Sequence, residues 1–285
     1  MAAHTEEIVV IGAGVMGRGI AHVAAQSGHL TTLVEPNAEV GRGAMDAIAA
    51  NLDKGIARGK TTEDEKATTL GNLSLATAFE DAARTASLVV EAVPERMDLK
   101  KTIFSALGEL TSPTCILGTN TSSLSVDEIA QSAAHPERVI GTHFFNPVHI
   151  VKLLEIVVPD GTNEATLANT RMFGERMNRE MITVRDSPGF ATSRLGLALG
   201  LEAIRMVETG VASAEDIDRG MELGYRHPMG PLKLTDLVGL DTRLKIAEYL
   251  HETLGSESFR PPELMREMVA QGKLGKKSGQ GFYTW

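Results

Sequence analysis

Residues 7–35 read EIVVIGAGVMGRGIAHVAAQSGHLTTLVE, and the fold of the chain turns on this stretch. It opens with a short β-branched run over 7–11 that ends at Gly12, the pattern of a buried strand feeding a turn. Met16, Ile20, Val23 and Ala24 then recur at helical spacing, Gly28 supplies a stop, and residues 30–34 resume as a second strand. The result is a βαβ unit. Within it Gly12, Gly14 and Gly17 stand in G-x-G-x-x-G spacing, each with a separate physical task. Gly12 makes the tight turn, Gly14 puts no Cβ between the backbone and a pyrophosphate, and Gly17 lets helix and strand pack closely. The helix that follows offers free N–H groups and the positive end of its dipole to phosphate. Glu35 closes the second strand 18 residues after Gly17, where a carboxylate accepts hydroxyls of an adenosine ribose and repels a 2′-phosphate. No Arg stands at Pro36 or Asn37 to reverse that preference, so the pattern selects NAD over NADP.

Outward from this unit, apolar runs at 87–93 (SLVVEAV), 115–119 (CILGT) and 138–145 (RVIGTHFF) alternate with helix-like stretches. That alternation predicts a mostly parallel, doubly wound sheet covered on both faces, an α/β domain of Rossmann type. Residues 153–158 and 181–184 read as two later strands, with Thr162 as cap of a helix running to about Asn178. After DSPG (186–189) the character changes. Leu195, Leu199, Ala203, Met206 and Val207 mark a long amphipathic helix, and Ser213 with Asp216 resembles a capping box. Two further helices are expected over 234–254 and 262–270, with no strand before the last residues. The expected division is therefore a dinucleotide-binding domain over 1–186 and an all-helical domain over 187–285.

Composition bounds the partners. The 285 residues carry 28 Lys and Arg against 37 Asp and Glu, a formal charge of −9, so no global positive field exists to attract nucleic acid or anionic lipid. The N-terminal MAAHTEE has neither the basic nor the apolar region of a secretory signal, and no apolar run approaches the ~18 residues of a membrane helix. The single Cys115 excludes an intramolecular disulfide framework and fits a reducing, cytoplasmic compartment.

Three segments place polar groups at ends of the apolar strands, where open α/β sheets bind ligands. TNTSSLS offers Asn120, Ser122 and Ser123, THFFNP offers His143 and Asn146, and LLEIVV offers Glu155. Imidazole titrates close to neutral pH, which suits His143 to the part of a base, and a carboxylate inside an apolar strand needs a partner. Glu155 follows His143 by 12 residues, enough for a turn at Asn146 and Pro147 and an antiparallel return that would bring the two side chains together.

At these residues the chain resembles a known family. IGAGVMGRGIA, VVEAVPERMDLKK, TNTSSLS, GTHFFNPVHIVKLLEIV, DSPGF, EDIDRGMELGYRHPMGPLKLTDLVGLD and GKKSGQGFY are similar, in order and spacing, to the 3-hydroxyacyl-CoA dehydrogenases, above all their bacterial 3-hydroxybutyryl-CoA branch. The similarity implies reversible NAD-linked oxidation of an (S)-3-hydroxyacyl-CoA to the 3-ketoacyl-CoA. It implies His143 as the base, Glu155 as its support, Ser122 on the substrate oxygen and Asn146 in ordering the site. It carries Glu95 and Lys100 to the nicotinamide-ribose side of the cofactor, with Asn120 beside them. It also implies a helical hairpin against CoA, for which Lys54 stands out in the basic group Arg42, Lys54, Arg58 and Lys60. Relatives carry Asn in PGF-x-x-N-R beside the substrate oxygen; here the position is Ser193, a shorter donor expected to contribute little directly, with Ser122 and Asn146 carrying more of the orientation. The family dimerises through its helical domain, so a homodimer is expected. A gulonate-type hydroxyacid dehydrogenase would share the His and Glu, and a crystallin-like structural relative would not require the intact Ser122, His143, Asn146 and Glu155.

Overall fold

The computed structural model describes residues 4–285; the first three residues of the N-terminal stretch read above lie outside the described residues. Its contacts divide the chain after Asp186. In the first unit one eight-stranded sheet runs β1 (His4–Ile11), β2 (His29–Val34), β3 (Leu73–Ala76), β4 (Leu88–Glu91), β5 (Ile116–Thr119), β6 (Val139–Phe144), β7 (Leu153–Val158) and β8 (Glu180–Arg185). The spatial order is β3-β2-β1-β4-β5-β6-β7-β8, with every pair parallel except the antiparallel β6 and β7. The order reverses between β1 and β4. That is the switch point where a doubly wound sheet leaves a crevice beyond its strand ends.

Among the described residues seven α-helices flank these strands: α1 (Val15–Gln26), α2 (Ala38–Ala57), α3 (Glu63–Gly71), α4 (Glu80–Thr85), α5 (Met97–Leu110), α6 (Val126–Ala130) and α7 (Glu164–Arg176). Their starts follow local capping chemistry. Asn37 accepts from the N–H groups of Glu39 and Val40, and Thr62 with Glu65 forms a reciprocal capping box. At α7 the cap is Asn163 rather than Thr162, because the Thr162 hydroxyl is committed to the carbonyl of Val139, 2.8 Å away. The core joins Ile8, Val10 and Leu33 of the sheet to Ile20, Val23 and Ala24 of α1.

The second unit is helical: α8 (Thr192–Glu208), α9 (Ala214–Gly224), α10 (Pro231–Val238), α11 (Leu240–Leu254) and α12 (Glu263–Ala270). The helix expected over 234–254 is two helices, broken at Gly239, whose φ of 104° lies outside the helical range. Ser213 accepts from the Asp216 N–H, but Asp216 returns to the Ser213 hydroxyl instead of its backbone, so the box is incomplete. Among the described residues no helix is long and apolar enough to cross a membrane.

One buried group makes the first unit acid-sensitive. His22 on α1 is 3% exposed, its two ring nitrogens have no hydrogen-bond partner, and its ring stacks on His149 at 5.5 Å between centroids. Burial, reinforced by His149, pushes the His22 imidazole down to about 4. A folded-state value below the unfolded one means that stability is full above the unfolded pKa and is lost as pH falls toward the folded value. Between pH 7 and pH 5 this single group is expected to remove about 2 kcal/mol. Urea denaturation at the two pH values checks this, with His22→Leu flattening the difference; an equal pH dependence in the variant would exclude His22 as its source.

Candidate active site

The glycine-rich turn leaves β1 and enters α1 at the switch point. A Cβ at Gly17 would lie 1.7 Å from the Gly12 carbonyl oxygen, and one at Gly12 would lie 2.7 Å from that of Ala92, so both glycines are required by the fold itself. Gly14 differs. A Cβ there meets nothing of the protein within 4 Å, its φ of −62° suits any residue, and as N-cap it leaves the first N–H groups of α1 without a side-chain cap. Open space over uncapped helix donors is the fit that a pyrophosphate requires. Gly14→Ala is accordingly expected to keep the melting temperature and to weaken NADH binding on the order of tenfold, ~1.4 kcal/mol, in a fluorescence titration. Unchanged affinity would place the phosphates elsewhere.

Glu35 stands at the end of β2 and reaches back over this turn. Its Oε2 accepts from the Ala13 N–H at 3.2 Å and its Oε1 from the Asn37 N–H at 3.1 Å. The carboxylate is thus held beside the phosphate turn, where a ribose hydroxyl would meet it and a 2′-phosphate would be repelled.

Across the switch point the ends of β4 and β5 carry a charge network. Lys100, wholly buried on α5, donates to both oxygens of Glu91 at 2.8 and 2.9 Å and lies 3.3 Å from Glu95 Oε2. Glu91 also accepts from the Thr119 hydroxyl and the Val93 N–H, both at 2.7 Å. Glu95 Oε1 accepts from the Thr121 hydroxyl at 2.5 Å and the Ser122 N–H at 3.0 Å. Lys100 therefore meets the ligand edge through Glu95 and not with its own ammonium. Glu91, Thr119 and Thr121 did not stand out in the sequence, although Glu91 satisfies the criterion applied to Glu155, a carboxylate in an apolar strand.

The next strands carry the His143–Glu155 pair. Antiparallel pairing of β6 and β7 sets His143 opposite Glu155, and Nδ1 stands 2.8 Å from Oε2. Glu155 is 0% exposed and His143 6%, with the Phe145 ring 4.4 Å from the imidazole. Asn120 Oδ1 accepts from the Phe144 N–H at 2.9 Å, tying the end of β5 to the strand that bears His143. Ser122 is half-buried and Asn146 exposed, with the Asn146–Pro147 peptide cis; neither side chain has a protein hydrogen-bond partner among the described residues. Lys54 is exposed in the last turn of α2, and its charge adds to the burial that holds the His149 imidazole below its usual value. Ser193 lies in the second unit, in the first turn of α8. No group of three metal ligands occurs among the described residues.

A dinucleotide cradle joined through one sheet edge to a His–Glu pair is the framework of a nicotinamide-dependent dehydrogenase. Residues 7–187 match the 3-hydroxyacyl-CoA dehydrogenase NAD binding domain and residues 189–285 the C-terminal domain of the same family. The chain is 41% identical over 280 residues to the probable 3-hydroxybutyryl-CoA dehydrogenase of Bacillus subtilis, covering 98% of this chain and 97% of that protein. It is 40% identical over 282 residues to 3-hydroxybutyryl-CoA dehydrogenase of Mycobacterium tuberculosis, with 98% of both covered. The crystal structure of (S)-3-hydroxybutyryl-CoA dehydrogenase from Ralstonia eutropha superposes with a TM-score of 0.94 at 36% identity over 99% of each chain. The chain belongs to the 3-hydroxyacyl-CoA dehydrogenase family, and its cofactor is NAD.

Proposed function

We propose that the protein interconverts a short-chain (S)-3-hydroxyacyl-CoA, such as 3-hydroxybutyryl-CoA, with its 3-ketoacyl-CoA, using His143 and Glu155 as the proton-handling dyad. The observation that carries this reading is the 2.8 Å contact between the buried His143 Nδ1 and Glu155 Oε2 across the β6–β7 pair. With Nδ1–H donated to Glu155, Nε2 is assigned the hydroxyl proton of the substrate, and the carboxylate supports the imidazolium that forms. NAD supplies the hydride acceptor. Gly12, Gly14, Gly17 and Glu35 would hold its adenosine and phosphate side, and Glu95, positioned by Lys100, its nicotinamide-ribose side, with Asn120 fixing the strand between. Ser122 holds the substrate oxygen and Asn146 orders the approach. Lys54 meets the negative charge of CoA, and Ser193 is assigned a secondary donor role. The domain limits that follow are 1–186 for NAD and 187–285 for substrate and dimer contacts.

NADH-linked turnover across a chain-length series of 3-ketoacyl-CoA esters tests the reading. Activity is expected on acetoacetyl-CoA and none on free 3-hydroxy acids or gulonate; the opposite preference, or no turnover of any thioester, would overturn it. We place the enzyme in the cytoplasm, in line with the buried Cys115, whose thiol burial pushes up to about 12 and so keeps unreactive. We also propose a homodimer formed through the helical unit, where Leu195 and Tyr225 are 66% and 76% exposed. Light scattering at micromolar concentration is expected to give twice the chain mass, and a monomer would exclude it.

A further inference from the structure

Glu91, Glu95 and Lys100 sit at the carboxyl ends of β4 and β5 as two carboxylates against one ammonium. The Glu91 and Lys100 side chains are 0% exposed and that of Glu95 is 37% exposed, so Glu95 is the member that reaches the surface. Val93, Thr119, Thr121 and Ser122 give the carboxylates hydrogen-bond donors but no charge. No other Lys or Arg pairs with either carboxylate among the described residues. One negative charge is left in excess, and with Glu91 and Lys100 buried against each other it falls on Glu95, at the surface of the cluster.

The place of this charge gives it a target. A dinucleotide at a switch point spans both halves of the sheet, so when Glu35 at the end of β2 takes the adenosine ribose, the nicotinamide half falls to the β4 and β5 side. An oxidised nicotinamide ring is positively charged and the reduced ring is neutral. We propose that the Glu91–Lys100–Glu95 cluster sets the preference between the two oxidation states of the cofactor, its excess negative charge tightening NAD+ relative to NADH. Glu95 acts from the exposed face. Glu91 is a positioning residue: it neutralises Lys100, which would otherwise cancel the charge of Glu95. The inference rests on the placement of NAD proposed above.

Calorimetric titration of the full-length protein with NAD+ and with NADH, without substrate, separates the two ideas. Glu95→Gln keeps an oxygen for the Thr121 hydroxyl and Ser122 N–H and removes one charge. It is expected to weaken NAD+ about tenfold more than NADH, a shift of about 30 mV in the two-electron potential of the bound couple. Glu91→Gln, remote from the surface, is expected to move the ratio in the same direction, whereas Glu128→Gln at the exposed pair with Lys101 leaves it unchanged. Equal weakening of both nucleotides by Glu95→Gln would overturn the charge proposal and keep the cofactor placement. No change in either affinity would overturn the placement, and the proposal with it.

Discussion

Replacement of His143 by Gln is expected to lower turnover of acetoacetyl-CoA by roughly 10²–10⁴ while NADH binding and the circular dichroism spectrum stay as in the unaltered enzyme. The geometry makes the substitution selective. His143 faces Glu155 through strand register, so the backbone that positions residue 143 is held by the β6–β7 ladder and not by the imidazole. A glutamine amide still donates to Glu155 Oε2, which leaves the buried carboxylate partnered and avoids the several kcal/mol that an abandoned charge costs. What it cannot do is take up a proton. Glu155→Gln is expected to lower turnover as well, because the amide no longer stabilises an imidazolium. Single-turnover kinetics isolates the hydride step; wild-type rates in either variant under those conditions would remove the dyad from the mechanism.

The contact between His143 and Glu155 is legible in the sequence because two independent signals converge, a polar pair inside apolar strands and a turn between them at Asn146 and Pro147. The cradle was legible for a similar reason: Gly12 and Gly17 are demanded by backbone collisions, and such demands leave a spacing that survives in the sequence. Glu91 carried one of the same signals, a carboxylate within VVEAV, but its partner Lys100 lies on the next helix within a run of charges that reads as a solvated face. Burial of a lysine is a property of the assembled fold, and charge patterning in one dimension does not reveal it. Strand β3 escaped because its four residues, LSLA, carry no β-branched side chain and gain their strand state from pairing with β2. The break between α10 and α11 lies at a glycine inside an otherwise continuous apolar period, and periodicity alone does not separate a tolerated helical glycine from one at positive φ.

Several residues in the second-half motifs that carry the resemblance have an architectural part. In GPLKLTD the Asp218 carboxylate, from the helix before, accepts from the Leu232 and Lys233 N–H groups at 2.8 Å each and so caps α10 from outside. Gly230 is required there, since a Cβ would lie 2.2 Å from Asp218. Tyr283 closes the set by donating its hydroxyl to Asp218 Oδ2 at 2.8 Å, and burial, with the carboxylate beside it, pushes the phenol well above its usual range.

Asp236→Ala is expected to be the most destabilising of the simple substitutions in the helical unit, at about 3–5 kcal/mol. The carboxylate is 0% exposed and accepts three hydrogen bonds at 2.9 Å: from the Phe282 N–H, the Tyr283 N–H and the Trp285 indole N–H. All three donors belong to the final segment, which GKKSGQGFY leads into. Two glycines of that motif are shaped to the same group, for a Cβ at Gly281 would lie 2.1 Å from Asp236 Oδ1 and one at Gly275 2.2 Å from the Asp236 carbonyl oxygen. Alanine removes every acceptor at once and leaves a cavity lined by donors. Asp236→Asn retains one oxygen but turns an amide N–H toward a second donor, so it should recover only part of the loss. Trp285 is the single tryptophan of the chain, which makes its emission a direct reporter of whether this segment stays docked. The variant should show red-shifted emission at 25 °C and a melting temperature lower by about 10 °C, from the usual 2–4 °C per kcal/mol in chains of this size class. Emission and melting temperature both unchanged would mean that Asp236 does not hold the terminus, and the family-specific spacing of its two glycines would then need another cause.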